Sequence, residues 1–465
     1  MIKIVNNSKF SDISQNLRFD CRYYYLGEIL NLTLSKFNVK PLSSFTHSIR
    51  KGIFDLNSRY YQKIGYPFIR ISNLMSYTID EKGLVYISTF HHKKEHNTIL
   101  YPNDLALSKI GKYLGKIAQI PLRYCEANIS QNIIGVRFNC NDDLKRYIFL
   151  YLTTPLAINQ IIRVSKQHNQ NKLTLPDIRN LRIPLLTTSK IKYYANIVRQ
   201  LSILEDQSYK LLKQAQELFI KKLNINFKQV KKLFSFSTSL KDIKEESFFT
   251  PQFSNPLYNK TLELIKKKYK TKKLSEIVDD FKGDEVGSEN YNLYQDKIDT
   301  DVPFIRTSDI VNNEIDNYPD FFISDDIYVK LDQGIKENDI IFSKDGSIGN
   351  CALITKNDKV IISSGFSILR VKEDCELSPF YVFLALSIEE IGGYQAKKRT
   401  VVAATIPHLR PTNLLKIEIP ILPKEDMAKI TSIVKKAFKK KAERKKKLED
   451  VKIELEKEFE FNQHK

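Results

Sequence analysis

Pro67-Phe68-Ile69-Arg70 returns letter for letter as Pro303-Phe304-Ile305-Arg306, a shift of 236 residues. The neighbours follow. Ile71-Ser72-Asn73-Leu74 answers Thr307-Ser308-Asp309-Ile310, and Asn103-Asp104 with Ser108-Lys109-Ile110-Gly111 answers Asn338-Asp339 with Ser343-Lys344-Asp345-Gly346. Tyr147-Ile148-Phe149-Leu150 then answers Tyr381-Val382-Phe383-Leu384, and Ile183-Pro184-Leu185-Leu186 answers Ile419-Pro420-Ile421-Leu422. Collinear matches at a nearly constant offset mean an internal duplication. The period is too long for a solenoid and suits a whole domain plus a connector. The chain must therefore fold as two similar units.

Between the matches, short segments such as Leu84-Val85-Tyr86-Ile87, Ile133 to Phe138, Asp339 to Ser343 and Ser367 to Val371 are rich in β-branched and aromatic residues. Gly, Asn and Pro bound them, which reads as strands. Tyr147 to Ile162 is apolar at helical spacing, and Pro176 restarts a short segment that closes at Ile183-Pro184. Residues 188–223 contain no Pro or Gly, and Tyr194, Ile197, Leu201, Leu204, Leu211, Ala215 and Leu218 recur in steps of three and four, with Ser208 filling one slot. That is a heptad seam on a long helix. Residues 424–461 repeat the pattern at Ile430, Val434, Ala437, Lys441, Arg444, Leu448, Val451 and Leu455, two positions being charged. Each helix has one apolar stripe and no partner in its own half, so the two are expected to pair antiparallel. The expected divisions are an extension over 1–20, a globule over 21–187, a spacer helix over 188–223, a connector and start of the second repeat over 224–270, a second globule over 271–423 and a last helix over 424–461. The fold class is α+β: two β-rich domains in pseudo-two-fold tandem repeat, separated by two long helices forming an antiparallel coiled coil.

Charge narrows the partners. Lys and Arg number 74 against 54 Asp and Glu, a net +20 in 465 residues. Such an excess suits DNA, RNA or an acidic membrane surface, though a Lys-, Ile- and Asn-rich composition also follows from an AT-rich genome. The five cysteines have no Cys-x-x-Cys spacing, which argues against a disulfide frame or zinc site and for a reducing interior. The first residues lack the apolar core of a signal peptide, and no window approaches the ~18 apolar residues of a membrane span. A cytoplasmic protein with no membrane partner is expected.

The run Pro303 to Ile310, then Asn338-Asp339-Ile340-Ile341-Phe342-Ser343-Lys344-Asp345-Gly346-Ser347-Ile348-Gly349-Asn350-Cys351-Ala352, Gly365-Phe366, Leu369-Arg370 and Ile417 to Pro423 resembles the target-recognition-domain pattern of the specificity subunits of Type I restriction-modification enzymes. The duplicated domain-plus-helix plan covers nearly the whole chain. The resemblance implies two target recognition domains, each reading one half of a split, asymmetric site in double-stranded DNA. It implies that the helices set the unread gap and dock two methyltransferase subunits, with restriction and motor subunits joined through them. It implies a non-catalytic subunit with no cofactor of its own.

Other motifs have plainer readings. Asn255-Pro256-Leu257-Tyr258 is like the Asn-Pro-Pro-Tyr/Phe of adenine methyltransferases but lacks the second Pro and a Gly-rich cofactor loop; a turn or helix start is the alternative. His91, His92 and His96 lack partners at ligand spacing. Asp320, Asp325, Asp326 and Lys330 lack a nuclease spacing, and Gly346 to Gly349 reads as a tight turn. Two other functions stay open: a single-chain enzyme with cryptic restriction or methylation activity, and a coiled-coil scaffold that binds no DNA.

The expected DNA contacts lie in two kinds of segment. One follows the repeated strand: Arg70, Ser72, Asn73 and Arg306, Thr307, Ser308. The other precedes each closing Ile-Pro: Lys166, Gln167, Asn169, Gln170, Asn171, Lys172 and Lys397, Lys398, Arg399, Thr400. Lys109 and Lys344 join them. Arg70 and Arg306, being identical in two readers of different sequences, suit phosphate or fold support better than base discrimination.

Overall fold

The computed structural model describes residues 21–459, except 111–113, 166–171, 231, 232, 234, 240–249, 285–300, 317 and 404–405. It divides into two compact units. The first comprises residues up to Asp206 together with those from Arg444 onward; the second comprises Gln207–Glu443. The boundary falls inside both long helices.

In the first half, Asn38–Pro41 pairs antiparallel with Arg182–Leu185 and closes the domain end to end. A four-stranded antiparallel sheet follows, in the order Thr46–Lys51, Ile133–Phe138, Leu105–Ser108, Ile117–Gln119. In a second sheet Tyr66–Ile69 runs parallel to Ala127–Ile129 and is flanked by Val85–Ile87. Gly135 lets the two sheets meet, since a Cβ there would sit 2.9 Å from Ile129 Cδ1 and from Leu100 Cδ2.

One apolar run makes two helices. Asn141 caps the first, its Oδ1 accepting from Leu144 N at 2.9 Å, with Asp142 and Asp143 favouring the positive end. Thr153-Thr154-Pro155 then breaks the run: Thr154 is the next N-cap and Pro155 occupies the first turn of Pro155–Val164. Tyr147 and Tyr151 are fully buried, their hydroxyls donating to the carbonyls of Pro184 and Arg182.

The second half repeats this plan. Thr271–Lys273 pairs with Glu418–Pro420, and the four-stranded order is Val278–Lys282, Phe366–Val371, Ile340–Ser343, Cys351–Leu353. Val302–Ile305 runs parallel to Ile361–Ile362, as Tyr66–Ile69 does to Ala127–Ile129. Side-chain bonds repeat too. Tyr381 donates to Pro420 O as Tyr147 does to Pro184 O. Gln395 exchanges two bonds with the backbone of Glu418, and Gln160 does the same with Arg182. The connector expected over 224–270 contains a helix, Pro256–Lys268, that belongs to the second globule: its buried Ile265 joins that core. Asn255 caps it through Leu257 N at 3.0 Å, so Asn255-Pro256-Leu257-Tyr258 is a helix start.

The spacer helices are Thr188–Leu223 and Lys424–Glu458. On the second, every expected seam position is buried, including Lys441 and Arg444. On the first, Val198, Leu212 and Phe219 are buried where Ile197, Leu211 and Leu218 were expected. The cause is a stripe wider than a heptad seam, because Leu211 and Leu218 still pack partly on the core of the second half. Within the first half, Lys190 Nζ meets Glu458 at 2.6 Å, Tyr193 meets Glu454, Lys447 meets Gln200, and Arg444 meets Glu205 at 3.0 Å. Within the second, Lys440 meets Gln207 and Lys222 meets Asp426 at 2.8 Å. In each half one helix ascends as the other descends. No helix among the described residues is long and apolar enough to cross a membrane.

Candidate nucleic-acid interface

The repeated strand ends in a repeated turn. Arg70 and Arg306 each precede a 3-10 turn, and the residue three places on holds the turn from below. Asn73 Oδ1 accepts from Arg70 N at 3.3 Å; Asp309 Oδ2 accepts from Arg306 N at 2.8 Å. Asn73 is buried and donates its amide to the carbonyls of Asp80 and Lys82. Burial pushes the Asp309 carboxyl up, against the pull of Arg306. Arg70 Nη2 donates to Gly83 O at 2.6 Å, its guanidinium 5.6 Å from the Tyr61 ring centre. Arg306 donates to Asp320 at 3.1 Å and lies 4.0 Å over Phe321. The repeated arginines therefore hold their turns, and Asn73, expected to touch DNA, has spent its polar groups inside the fold. Ser72 and Ser308 at the same turns are exposed, the latter donating to Asp309 at 3.0 Å. Thr307 is half-buried, its methyl where a Cβ on Gly365 would sit at 2.9 Å.

Lys109 and Lys344 follow equivalent strands. Their backbones are tied alike: each accepts from a later leucine, Leu173 N to Lys109 O and Leu409 N to Lys344 O. Both side chains are buried. Burial, then the charges of Lys51 and Lys172, push the Lys109 amine below the ordinary lysine value. Lys344 donates instead to Ser364 O and lies 3.6 Å from Asp345, which pairs with His408.

The stretches before the closing strands differ. Lys166, Gln167, Asn169, Gln170 and Asn171 lie outside the described residues. Lys172 is exposed and bridges to Ile110. In the second half the stretch is the end of a helix, Tyr394–Lys398. Lys397 pairs with Glu389, Lys398 lies 4.3 Å over Phe253, and Arg399 and Thr400 donate to the carbonyls of Gln395 and Ala396. Arg399 is buried. It closes a helix end rather than presenting a free guanidinium.

A surface outside these expectations lies in the first half. Arg59 donates to Tyr60 OH at 2.7 Å and covers its ring; Tyr60 packs on His91 at 4.4 Å, and His91 on Phe90 at 5.3 Å. Phe54, Ile64 and Phe90 are among the most exposed apolar residues, Phe54 at 83%. The alternation of Arg59-Tyr60-Tyr61 and of Phe90-His91-His92-Lys93-Lys94 carried this signal in the sequence. His92 is buried, stacked 3.6 Å on Tyr66, with its ring nitrogens facing Asn128 Oδ1 at 2.6 Å and Glu126 at 2.7 Å. It ties the fold, and no cluster of three or more metal-ligating side chains occurs among the described residues. Asp320 is engaged by Arg306, while Asp325 and Asp326 fill the first turn of Asp325–Leu331. Gly346 and Gly349, at φ of 65° and 90°, form the turn between Ile340–Ser343 and Cys351–Leu353.

Two β-rich units on one duplicated frame, each followed by a long helix and differing in their surface segments, define a two-headed binding protein. The model of the Type I restriction modification DNA specificity domain matches residues 35–217 and again 266–452, well over half the chain. The chain belongs to this family, and its role is that of a DNA sequence-specificity subunit. Solved structures also match the chain. The Type-I restriction-modification S subunit from M. genitalium is 13% identical, with 91% of this chain and 95% of that chain covered and a TM-score of 0.35. The HsdS subunit from Thermoanaerobacter tengcongensis is 13% identical over 91% and 96% of the two chains, with a TM-score of 0.29. The type IIG restriction endonuclease BpuSI matches over 41% of this chain and 30% of its own, at 12% identity and a TM-score of 0.30. No curated protein matches.

Proposed function

We propose that each half reads one part of a split DNA site, and that the two long helices form an antiparallel coiled coil that sets the gap and docks methyltransferase subunits. Restriction and motor subunits join through those. The observation that carries this reading is the duplication of the frame without duplication of the surface. Equivalent tyrosines, glutamines and turns recur, while the exposed segments diverge, as two readers of different sequences require. The divisions follow: recognition domains over 21–187 and 271–423, spacer helices over 188–223 and 424–461, an extension over 1–20 and a connector over 224–270 that supplies the start of the second domain.

The readers are loops and not the frame. Ser72, Ser308, Thr307 and Lys172 contact base edges or phosphates, as do Lys166, Gln167, Asn169, Gln170 and Asn171, which lie outside the described residues. Arg70, Asn73, Arg306, Lys344, Lys397, Lys398, Arg399 and Thr400 position them, and Lys109 contacts the backbone. In the first half, Phe54, Arg59, Tyr60 and Phe90 add an aromatic and cationic surface suited to sugar and base faces. The chain itself performs no catalysis.

The test is the methylation pattern of the chain assembled with its methyltransferase subunits. A bipartite motif with a fixed gap is expected. Adding one heptad to each spacer helix lengthens the gap and leaves both half-sites unchanged. Methylation without a shared motif, or half-sites that change with the insertion, overturns the reading. Cofactor-dependent cleavage or methylation by the chain alone establishes a single-chain enzyme instead.

A further inference from the structure

The edge strand Thr46–Lys51 is the floor of a cleft of about 710 Å³ whose walls are Asn97, Thr98 and the helix Leu175–Arg179. Its lining includes His47, Arg50, Lys51 and Arg179, all exposed, and no carboxylate. Among the described residues His47, Arg50 and Arg179 form no ion pair. The acid on the wall helix, Asp177, is committed to Thr174, accepting from its N at 2.7 Å and its Oγ1 at 2.6 Å. The positive tract continues inward, since Lys51 and Lys172 both act on the buried amine of Lys109. Arg50, Lys51 and Arg179 therefore line one cleft whose described lining has no carboxylate, and Lys51, like Lys172, lies near enough to Lys109 for its charge to act on that amine.

Such an arrangement is unfavourable in the free protein and favourable once a polyanion supplies the missing charge. The second half shows that the frame does not demand it. There the equivalent strand, Val278–Lys282, keeps Lys282 in the register of Lys51 but has Phe281 in that of Arg50 and carries Asp279 and Asp280 before it. A strand of six residues spans about 20 Å at ~3.4 Å each, the axial rise of about six base pairs of duplex.

We infer that this cleft is a phosphodiester-binding site through which the first half, and not the second, grips the DNA backbone beside its target. The inference rests on the DNA-reading role proposed above and adds a site to it. The cations contact phosphates and carry no sequence information, so the first head supplies more of the non-specific affinity and the second depends more on direct readout.

The test is a triple variant, Arg50→Gln, Lys51→Gln and Arg179→Gln, in the full chain assembled with its methyltransferase subunits. All three side chains are exposed, so the fold is expected to survive, and thermal melting checks this. Duplex affinity should fall for specific and random DNA alike. The slope of log K against log salt should lessen by about 2 to 3, one phosphate contact being worth ~0.9. The methylated motif should stay the same. An unchanged slope and affinity overturns the proposal. So does an altered first half-site, which would make these residues base readers. Weaker retention of methyltransferase subunits with an unchanged DNA slope would place an acidic protein surface in the cleft instead. If the unaltered complex shows no salt-sensitive duplex binding, the DNA-reading role itself fails and the cleft's role falls with it.

Discussion

Lys109 and Lys344 stand at the same place in two copies of one frame, and their surroundings are opposite in charge. Lys109 is pressed by Lys51 and Lys172. Lys344 is tied to a carbonyl and faces Asp345, and its charge also acts on Asp280, on the edge strand beyond Phe366–Val371. The backbone accepts either environment because the shared ties, leucine N–H to lysine C=O, do not involve the side chain. Duplication has kept what closes the fold and released what faces outward. The comparison fails if the frame is not energetically shared, or if the two lysines behave alike.

The largest expected effect tests the shared frame. A Cβ on Gly52 would lie 2.1 Å from Ile129 O, and one on Gly283 2.2 Å from Ser363 O. Neither backbone carbonyl can yield cheaply. Gly52→Ala and Gly283→Ala should each destabilise their own half by about 3 kcal/mol, by the same mechanism. Hydrogen exchange, resolved by segment, reads this. A large loss in one half and none in the other would mean that the halves only look alike.

A smaller asymmetry is expected one strand in. Asp339 is buried, and Arg370 donates to it twice, at 2.8 and 2.7 Å. Its counterpart Asp104 shares the backbone bond from three residues back, Tyr101 N as Lys336 N to Asp339, but takes its other bond from Phe138 N, while Arg137 stacks on Tyr101 at 4.8 Å. Arg370→Ala leaves a buried carboxylate with the Lys336 N–H but without its cation and should cost about 2 kcal/mol, less than a fully enclosed pair because the guanidinium is partly exposed. Arg137→Ala removes a cation–ring contact and a minor charge acting on Asp104, and should cost about 0.5 kcal/mol. Denaturant midpoints compare them; equal losses would show that Asp104 depends on Arg137 after all.

These contrasts also mark what the sequence could carry. The repeated letters lay in strands and turns whose geometry is local: Asn103 and Asn338, both left-handed at φ of 69° and 72°, recur because the turn needs them. The presence of two long helices was legible because a run without Pro or Gly has few other options. The parallel pairings of Phe68 with Asn128 and Phe304 with Ile361 were not, since they join residues some sixty apart that no local period connects. The site was less legible still. Asn73 and Arg399 are polar residues in suitable segments, and only burial shows that their groups are spent inside the fold. The charge of the strand Thr46–Lys51 was in plain view, but its meaning came from the empty register of acids beside it and from the aspartates opposite in the other half.

The lysines give the next effect. Lys344→Ala removes the tie to Ser364 and leaves Asp345 and Asp280 without the cation, so the second half should lose about 1 kcal/mol. Lys109→Ala relieves like-charge repulsion around a buried amine and should leave the first half's stability unchanged or slightly raised, while weakening duplex binding. If Lys109→Ala is the more destabilising of the two, the electrostatic contrast between the halves is wrong.

The smallest effect concerns Asp280, whose counterpart in the first half is Ile49 in the same strand register. Its Oδ1 is buried without a hydrogen-bond partner among the described residues, and burial raises its carboxyl above the ordinary value of 3.8, the nearby Ser367 and Lys344 pulling the other way. A carboxyl raised by folding holds its proton more tightly folded than unfolded. The stability it contributes is present below pH 3.8 and is lost as pH rises through the raised value, so the ionised group burdens the second half at neutral pH. Asp280→Asn keeps the shape and removes the charge. It should stabilise the second half by about 0.5 kcal/mol at pH 7 and make no difference near pH 3. The first half, with Ile49 in that place, should show no such pH-dependent term from this position. Unfolding at the two pH values measures both. Destabilisation by Asp280→Asn at pH 7 would mean that the carboxylate is held by Lys344 more strongly than burial opposes it, and the second half would then owe stability to the acidic strand that here only distinguishes it from the first.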